Sequence, residues 1–431
     1  MNYIENLLTF LKKSVSPFHA VNHAAGRLKA AGFVSLDFDR PWQLEAGGAY
    51  YCRTFSGELF AFKTGTHFDP HQGVRMTAAH TEWPCLRIKP SASYTKNGYL
   101  QANAEIYGGP ILSTFFDRPL SIAGKLAVKS KTLLRPDILY INIEKPLLTV
   151  PNLAIHMSRG VNEDGMKIDK QTHLMPLLGI VEDNLNTDNY FLNFIAENAG
   201  IPAESILDYE LCVYNTDQPS FVGINDAFIS APRLDDITSV CAAVDGIIES
   251  EPKESMAMTV LFDNEEIGSR TKQGADSAML TLVLEKIWDA FGRSRIRCIE
   301  DLHHSMILSA DVAHGYHPNY ASAYDTTNLP VLGKGFCIKT DSNQKYTWDC
   351  EALGGLKQLC QAYDIPYQMC VKRTGQAGGS TIGPVLSSLL PVKTVDIGVP
   401  LLAMHSAREL MGTKDQIYIT KAITAFFSAP C

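Results

Sequence analysis

Apolar residues recur at helical spacing over residues 3–13 and 18–31, and the second stretch follows the helix-start signal "SVSPF". "AYYCRTF" and "ELFAFKTG" flank Ser56-Gly57 and predict a hairpin over 49–64. "VRMTAAH" reads as a buried strand ending at His80. From about 86 to 225 the texture changes. Short alternating segments such as "YLQANAEIYGG", "SIAGKLAVKS" and "ILYINIEKPL" are separated by turns, the mark of a β-rich module. After 225 helix and strand alternate. "DDITSVCAAVDGIIES", "DSAMLTLVLEKIWDAFG" and "DCEALGGLKQLCQAYDI" predict helices, "AMTVLFD", "HSMILSAD" and "TVDIGVP" predict strands, and the C-terminal stretch is helical.

Strands alternating with helices imply an α/β fold, a mainly parallel sheet with helices on both faces. The segment before 86 has the same texture. The simplest organisation is one α/β domain, residues 1–86 plus 226–431, interrupted by a β-rich insertion at 87–225.

With 431 residues, 45% hydrophobic and 19% charged, the chain has an ordinary globular balance and the length for more than one compact unit. A net charge of −8 without any basic block argues against a nucleic-acid partner. No apolar run approaches the ~18 residues of a membrane span. "MNYIENLLTFLKKS" places its lysines after the apolar residues, the reverse of a secretory signal. Ten cysteines without a CxxC pair read as reduced thiols. These features predict a cytoplasmic protein with neither membrane nor nucleic acid as partner.

The candidate chemistry sits at strand ends. Four apolar strands lead to metal-capable side chains: His80, the pair Glu265 and Glu266, Asp311, and His405 after "DIGVPLLAMH". Asp235 stands at a loop-to-helix start. In an open α/β sheet, sites gather beyond the carboxyl ends of the strands, so these residues would converge. Taken singly, each has an ordinary explanation: a satisfied histidine, an N-cap, a solvated loop or a turn cap. Taken together, four strand ends would each need a separate one. "LFDNEEIGSR" sharpens the point, because Asp263, Glu265 and Glu266 crowd like charges at the end of a buried strand. Divalent cations neutralise such clusters. Two imidazoles and three carboxylates suit two zinc-like ions, with cobalt or manganese as substitutes. One carboxylate would bridge them, and the remaining glutamate would be a base beside an activated water, the chemistry of amide or ester hydrolysis.

Eight segments in order carry a resemblance to a known family: "AHTEWPCLRIKP", "IYGGPILSTFFDRPLSIAG", "NLAIHMSRGVNEDG", "SAPRLDDITS", "FDNEEIGSRTKQGA", "SADVAHGYHPNY", "GGSTIGP" and "LLAMHSAREL". Across essentially its whole length the chain resembles the aspartyl aminopeptidases, cytosolic metallopeptidases of family eighteen in the clan of co-catalytic zinc exopeptidases. The resemblance implies that His80, Asp235 and Asp311 hold one zinc and that Asp235, Glu266 and His405 hold the other. Glu265 would be the general base. Asp236 stands where the family has Asn, and neither it nor Asp263 would be a ligand. His156, in "NLAIHMSRGVNE", would reach a neighbouring subunit's active site and steady bound substrate or the developing oxyanion. Lys339 matches a family lysine beside the active site and would meet an acidic substrate side chain; separately, the glycines of "GGSTIGP", Gly379 among them, allow backbone to approach a substrate closely, the alternative being a plain loop before a helix starting near Thr381. The insertion would be a dimerisation domain, and dimers would assemble into a tetrahedral dodecamer. The implied activity is removal of the N-terminal residue, acidic or neutral, from peptides.

One departure stands out. Family members read His-Thr-Asp-Ser where this chain reads "HTEW". The acidic residue two after the histidine orients its imidazole. Glu82 keeps the charge with one more methylene, and Trp83 adds bulk. The alternatives are another exopeptidase or deacylase of the same clan, or a metal-binding assembly whose catalysis Glu82 has impaired.

Overall fold

The computed structural model describes residues 1–181, 189–376 and 378–430. The chain divides into two compact units, one of Met1–Glu82, Pro219–Met404 and Glu409–Cys431, the other of Trp83–Gln218 and His405–Arg408.

The first unit is built on a nine-stranded sheet. Its strands are β1 (Val34–Leu36), β2 (Ala49–Cys52), β3 (Leu59–Thr64), β4 (Val74–His80), β5 (Met256–Phe262), β6 (Met306–Ala310), β7 (Phe336–Thr340), β8 (Tyr367–Val371) and β9 (Lys393–Gly398). Their order is β1-β2-β3-β5-β4-β6-β9-β7-β8. β2 and β3 form the expected antiparallel hairpin. The centre is parallel: β4 lies between β5 and β6, and β9 follows β6. All seven residues of β5 are buried, as a strand covered on both faces requires.

Alternation sends side chains to opposite faces. Met76, Ala78, Met258, Val260 and Phe262 meet Leu284 and Trp288 of the Met279–Ala290 helix and Ile382 and Leu386 of the Ile382–Leu389 helix. On the other face Thr259 Oγ1 donates to the Ala243 carbonyl at 3.1 Å. Ala243 belongs to the helix Leu234–Glu249, whose residues from Leu234 to Ile247 are all buried. That helix is enclosed because Tyr3–Lys13 and Thr413–Ser428 pack over it. The fold is therefore α/β, with helices on both faces of a mixed, mainly parallel sheet.

Strands β1, β7 and β8 and one helix go beyond the sequence pattern. β1 has only three residues, too few to show a period, and β7 carries Lys339 as its fourth residue, which breaks the apolar run. β8 is mostly half-buried and shows no clean period. The short helix Arg295–Leu302 has only Cys298 and Asp301 buried, too few to mark a face. The first unit also has a small five-stranded sheet, in the order Ser220–Val222, Phe228–Ala231, Glu409–Gly412, Pro400–Leu402, Ala313–His314.

The second unit is a six-stranded antiparallel sheet in the order Asp137–Asn142, Leu120–Val128, Ile206–Asn215, Cys85–Lys96, Tyr99–Tyr107, Leu177–Ile180. Ile122, Leu126, Leu211 and Val213 form its core with Phe191 and Ile195 of a helix, Tyr190–Ala199, within the stretch read as β-rich.

Candidate functional site

The order of the central strands gathers the site. β5, β4 and β6 are parallel neighbours, and adjacent strands lie about 4.8 Å apart. Phe262 pairs with His80 across β5 and β4, so both strands end at the same level. Asp311 follows β6 and donates its backbone N–H to the Ile397 carbonyl at 3.0 Å. Residues 182 and 231 positions beyond His80 in sequence are thereby brought within two strand spacings of it.

Asp235 arrives from the small sheet. Arg233 takes the left-handed conformation before it, a cis peptide joins Asp235 to Asp236, and the buried helix begins. The Asp235 N–H donates to Glu409 Oε2 at 3.1 Å. Glu409 thus holds the backbone of a candidate ligand, a role its sequence context does not announce.

His80 is the hub. Its Nε2 lies 3.4 Å from Asp235 Oδ1, 3.7 Å from Asp311 Oδ1 and 3.9 Å from Asp236 Oδ2. Its Nδ1–H donates to the Glu82 carbonyl at 3.0 Å, with Glu82 Oε1 at 3.5 Å. That donation leaves Nε2 as the ligating nitrogen, pointed at the aspartates. Glu82 therefore orients the imidazole, chiefly through its own backbone. Its side chain does a second task, since Oε1 accepts the Glu266 N–H at 3.2 Å.

Ligand atoms of His80, Asp235, Asp236 and Asp311 all lie within 4.8 Å of one another, and so do those of His80, Glu265 and Glu266. Burial alone pulls the His80 imidazole down, but Asp236, Asp235, Asp311 and Glu82 outweigh it and raise it well above its ordinary value. Loss of water, then the negative charges of Asp311 and Asp235, push Asp236 well above the carboxylate range. Glu265 is pushed up by desolvation and by Asp311, Glu266 and Glu82. Burial acts to raise Asp311 as well, yet the Lys339 ammonium and His80 hold its carboxyl below the usual range. Glu82 Oε2 and Asp236 Oδ1 are buried with no hydrogen-bond partner among the described residues. A buried nest of four carboxylates around one imidazole is short of positive charge. Its nitrogen and oxygen donors match zinc, cobalt or manganese.

The turn after β5 shows why Asp263 stands apart. Its Oδ2 accepts from Gln273 Nε2 at 2.6 Å and its Oδ1 from the Asn264 N–H at 2.9 Å. Asn264 adopts φ 65°, a conformation asparagine tolerates, and so turns the chain to present Glu265 and Glu266. Gly57, at the β2–β3 turn, packs on this carboxylate, and a Cβ there would come 2.0 Å from Asp263 Oδ2. Gly57→Ala is expected to cost about 1–3 kcal/mol through overpacking, read by urea denaturation. Wild-type stability would show that Asp263 yields freely and does not brace the turn.

Lys339 is 1% exposed. Its Nζ lies 3.4 Å from Asp311 Oδ2, donates to the Val312 carbonyl at 3.1 Å, and stands 5.0 Å over the Tyr346 ring. Gly379 is exposed, and its carbonyl accepts from Lys372 Nζ at 2.8 Å. In the second unit, His405 has φ 67° and donates from Nδ1 to the Gly109 carbonyl at 3.0 Å, which leaves its Nε2 to ligate. His156 is exposed in the short turn Ile155–Met157 of that unit.

The profile of a family described as Aminopeptidase I zinc metalloprotease (M18) matches residues 10–427. The chain belongs to the M18 family of zinc metallo-aminopeptidases. A probable M18 family aminopeptidase 2 of Clostridium acetobutylicum is 41% identical over 429 residues, 99% of each chain. Ape4, solved in complex with Nbr1, superposes with a TM-score of 0.93 at 34% identity, covering 99% of this chain and 85% of that one. The mApe1 dodecamer of S. cerevisiae gives 0.84 at 26% identity over 99% and 96%. M18 membership makes this protein a hydrolase that uses divalent metal, and the buried His80 cluster is where its own residues suit one.

Proposed function

We propose that this M18 aminopeptidase removes N-terminal residues, acidic ones foremost, with two divalent ions held by five ligands. His80, Asp235 and Asp311 would take one ion, Asp235, Glu266 and His405 the other, and Asp235 would bridge. The observation that carries the reading is the convergence of His80, Asp235 and Asp311 at one buried point, with Glu265 and Glu266 at its edge. When bound, such ions bring the pKa of a water near neutrality and polarise the scissile carbonyl. Glu265, at the edge of that cluster, accepts the proton of the attacking water and returns it to the leaving amine. Glu82 keeps His80 in the ligating tautomer. Gly379 offers backbone beside the substrate, and Lys339 is the buried cation nearest an acidic side chain entering at Asp311.

We assign residues 87–225 to dimerisation and the active form to a dodecamer, the state of solved mApe1. The second unit leaves Leu133, Leu134, Met157 and Ile180 each at least 74% exposed, apolar area that assembly would cover. Cys52, Cys241, Cys298, Cys337, Cys350, Cys360 and Cys370 are reduced thiols, in keeping with a cytoplasmic location. Among the described residues no helix is long and apolar enough to cross a membrane.

A panel of aminoacyl-nitroanilides tests the substrate class, each assayed with zinc, cobalt and manganese. Aspartyl and glutamyl substrates are expected to lead by kcat/KM. A preference for neutral residues would remove the acidic assignment, and hydrolysis confined to acyl-blocked substrates would favour a deacylase of the same clan.

A further inference from the structure

β9 separates β6, which Asp311 follows, from β7, which carries Lys339. Lys339 therefore reaches across β9 to make its pair with Asp311. The residue it crosses is a second buried acid. Cys337 pairs with Gly398 and Ile338 with Ile397, so the next antiparallel position sets Lys339 against Asp396. On the other side Asp396 pairs with Ser309, two residues before Asp311.

Asp396 is fully buried. Both of its oxygens are committed to loops. Oδ1 accepts from Thr381 Oγ1 at 2.7 Å, and Oδ2 accepts the Thr347 N–H at 2.5 Å. The Asp396 N–H donates to the Thr347 carbonyl at 3.0 Å, which fixes the neighbouring Tyr346 ring over the Lys339 ammonium. Thr381 is the cap residue of the Ile382–Leu389 helix and ends the glycine segment that contains Gly379. The helix comes so close that a Cβ on Gly383 would lie 2.5 Å from Asp396 Oδ2. A valine or alanine at 383 would lift the segment off its anchor. Burial disfavours the Lys339 charge, and Asp311 and Asp396 together sustain it.

A cation shared between two buried carboxylates couples them. If Asp396 loses its charge, Lys339 bears on Asp311 alone and competes with a metal ion for it. If the Thr381 hydrogen bond is lost, the glycine segment loses its register at the substrate.

We propose that Asp396 is a positioning residue of the M18 reaction here: through Thr381 it sets the substrate-side glycine segment, and through Lys339 it tunes how strongly Asp311 holds metal. The proposal rests on the assignment of Asp311 as ligand and of residues 378–384 as substrate-side.

The test uses the full-length assembled protein, stripped of metal, with zinc affinity read by competition against a chromophoric chelator. Asp396→Asn is expected to weaken zinc binding about tenfold, the scale of a group that acts through a ligand's partner. In a Lys339→Met background the same change is expected to have no further effect. Thr381→Val is expected to raise KM roughly two- to tenfold, the loss of one hydrogen bond, at unchanged zinc affinity and unchanged kcat. A merely structural Asp396 would lower thermal stability and leave the zinc affinity of the folded protein at the wild-type value, which overturns the proposal. Wild-type KM in Thr381→Val overturns it too, including where Asp396→Asn fails to fold. A wild-type chain that binds no zinc would instead sink the metal assignment on which the proposal rests.

Discussion

Glu265→Gln is expected to lower kcat about 10²–10⁴-fold, the range for a lost general base, while metal content stays at the wild-type value. The two halves come from different features of the same turn. Glu265 lies at the edge of the cluster, where desolvation and three neighbouring carboxylates raise its proton affinity. Asn264, held by Asp263 and Thr271, sets the backbone before it, and the Glu266 N–H is fixed on Glu82 after it. Glutamine fits that frame and keeps its shape but accepts no proton. The first ion's proposed ligands, His80, Asp235 and Asp311, are untouched. Kinetics beside elemental analysis reads both. Near-normal turnover would remove Glu265 as the base, and loss of metal with activity would make it a ligand.

The second large effect is expected in the other unit. His156→Phe is expected to lose roughly 10²-fold or more in kcat, by analogy with removal of an oxyanion donor, with both ions retained. His156 is exposed on the Ile155–Met157 turn, among the exposed side chains of Leu153, Ile155 and Met157. An exposed imidazole there can donate a hydrogen bond to a partner subunit's substrate, and the surrounding apolar surface gives assembly a reason to bring that partner in. Mixed oligomers separate the roles. His156→Phe and Glu265→Gln protomers, each nearly inactive alone, are expected to regain activity together, because some sites then pair an intact Glu265 with a neighbour's intact His156. No recovery in verified mixtures would mean that both residues serve one subunit.

Much of this was legible in the chain because buried parallel strands announce themselves. The runs before His80, Asp263 and Asp311 are mostly apolar up to the polar residue at or just beyond the strand end, so pattern and chemistry coincide there. β7 was not legible, since the buried Lys339 interrupts its apolar run and is tolerated through two carboxylate neighbours, the Val312 carbonyl and the Tyr346 ring. The same blindness covers Glu409 and Asp396. Each is a carboxylate that looks like surface in sequence, and each is buried because it accepts backbone or hydroxyl hydrogens from segments far away. The helix Tyr190–Ala199 was hidden by its setting among strands. The replacement of the family's Asp by Glu82 looked disruptive on side-chain length alone. His80 is held mainly by the Glu82 carbonyl, a backbone contact that does not depend on the length of the side chain.

The most direct measurement is a zinc titration of the stripped, assembled protein, with peptide hydrolysis and bound metal followed in parallel. Hydrolysis is expected to be absent from the stripped protein, to rise as zinc binds, and to level off at two ions per chain. Full turnover without metal, or saturation at two ions with no release of an N-terminal residue from any peptide, would contradict the account.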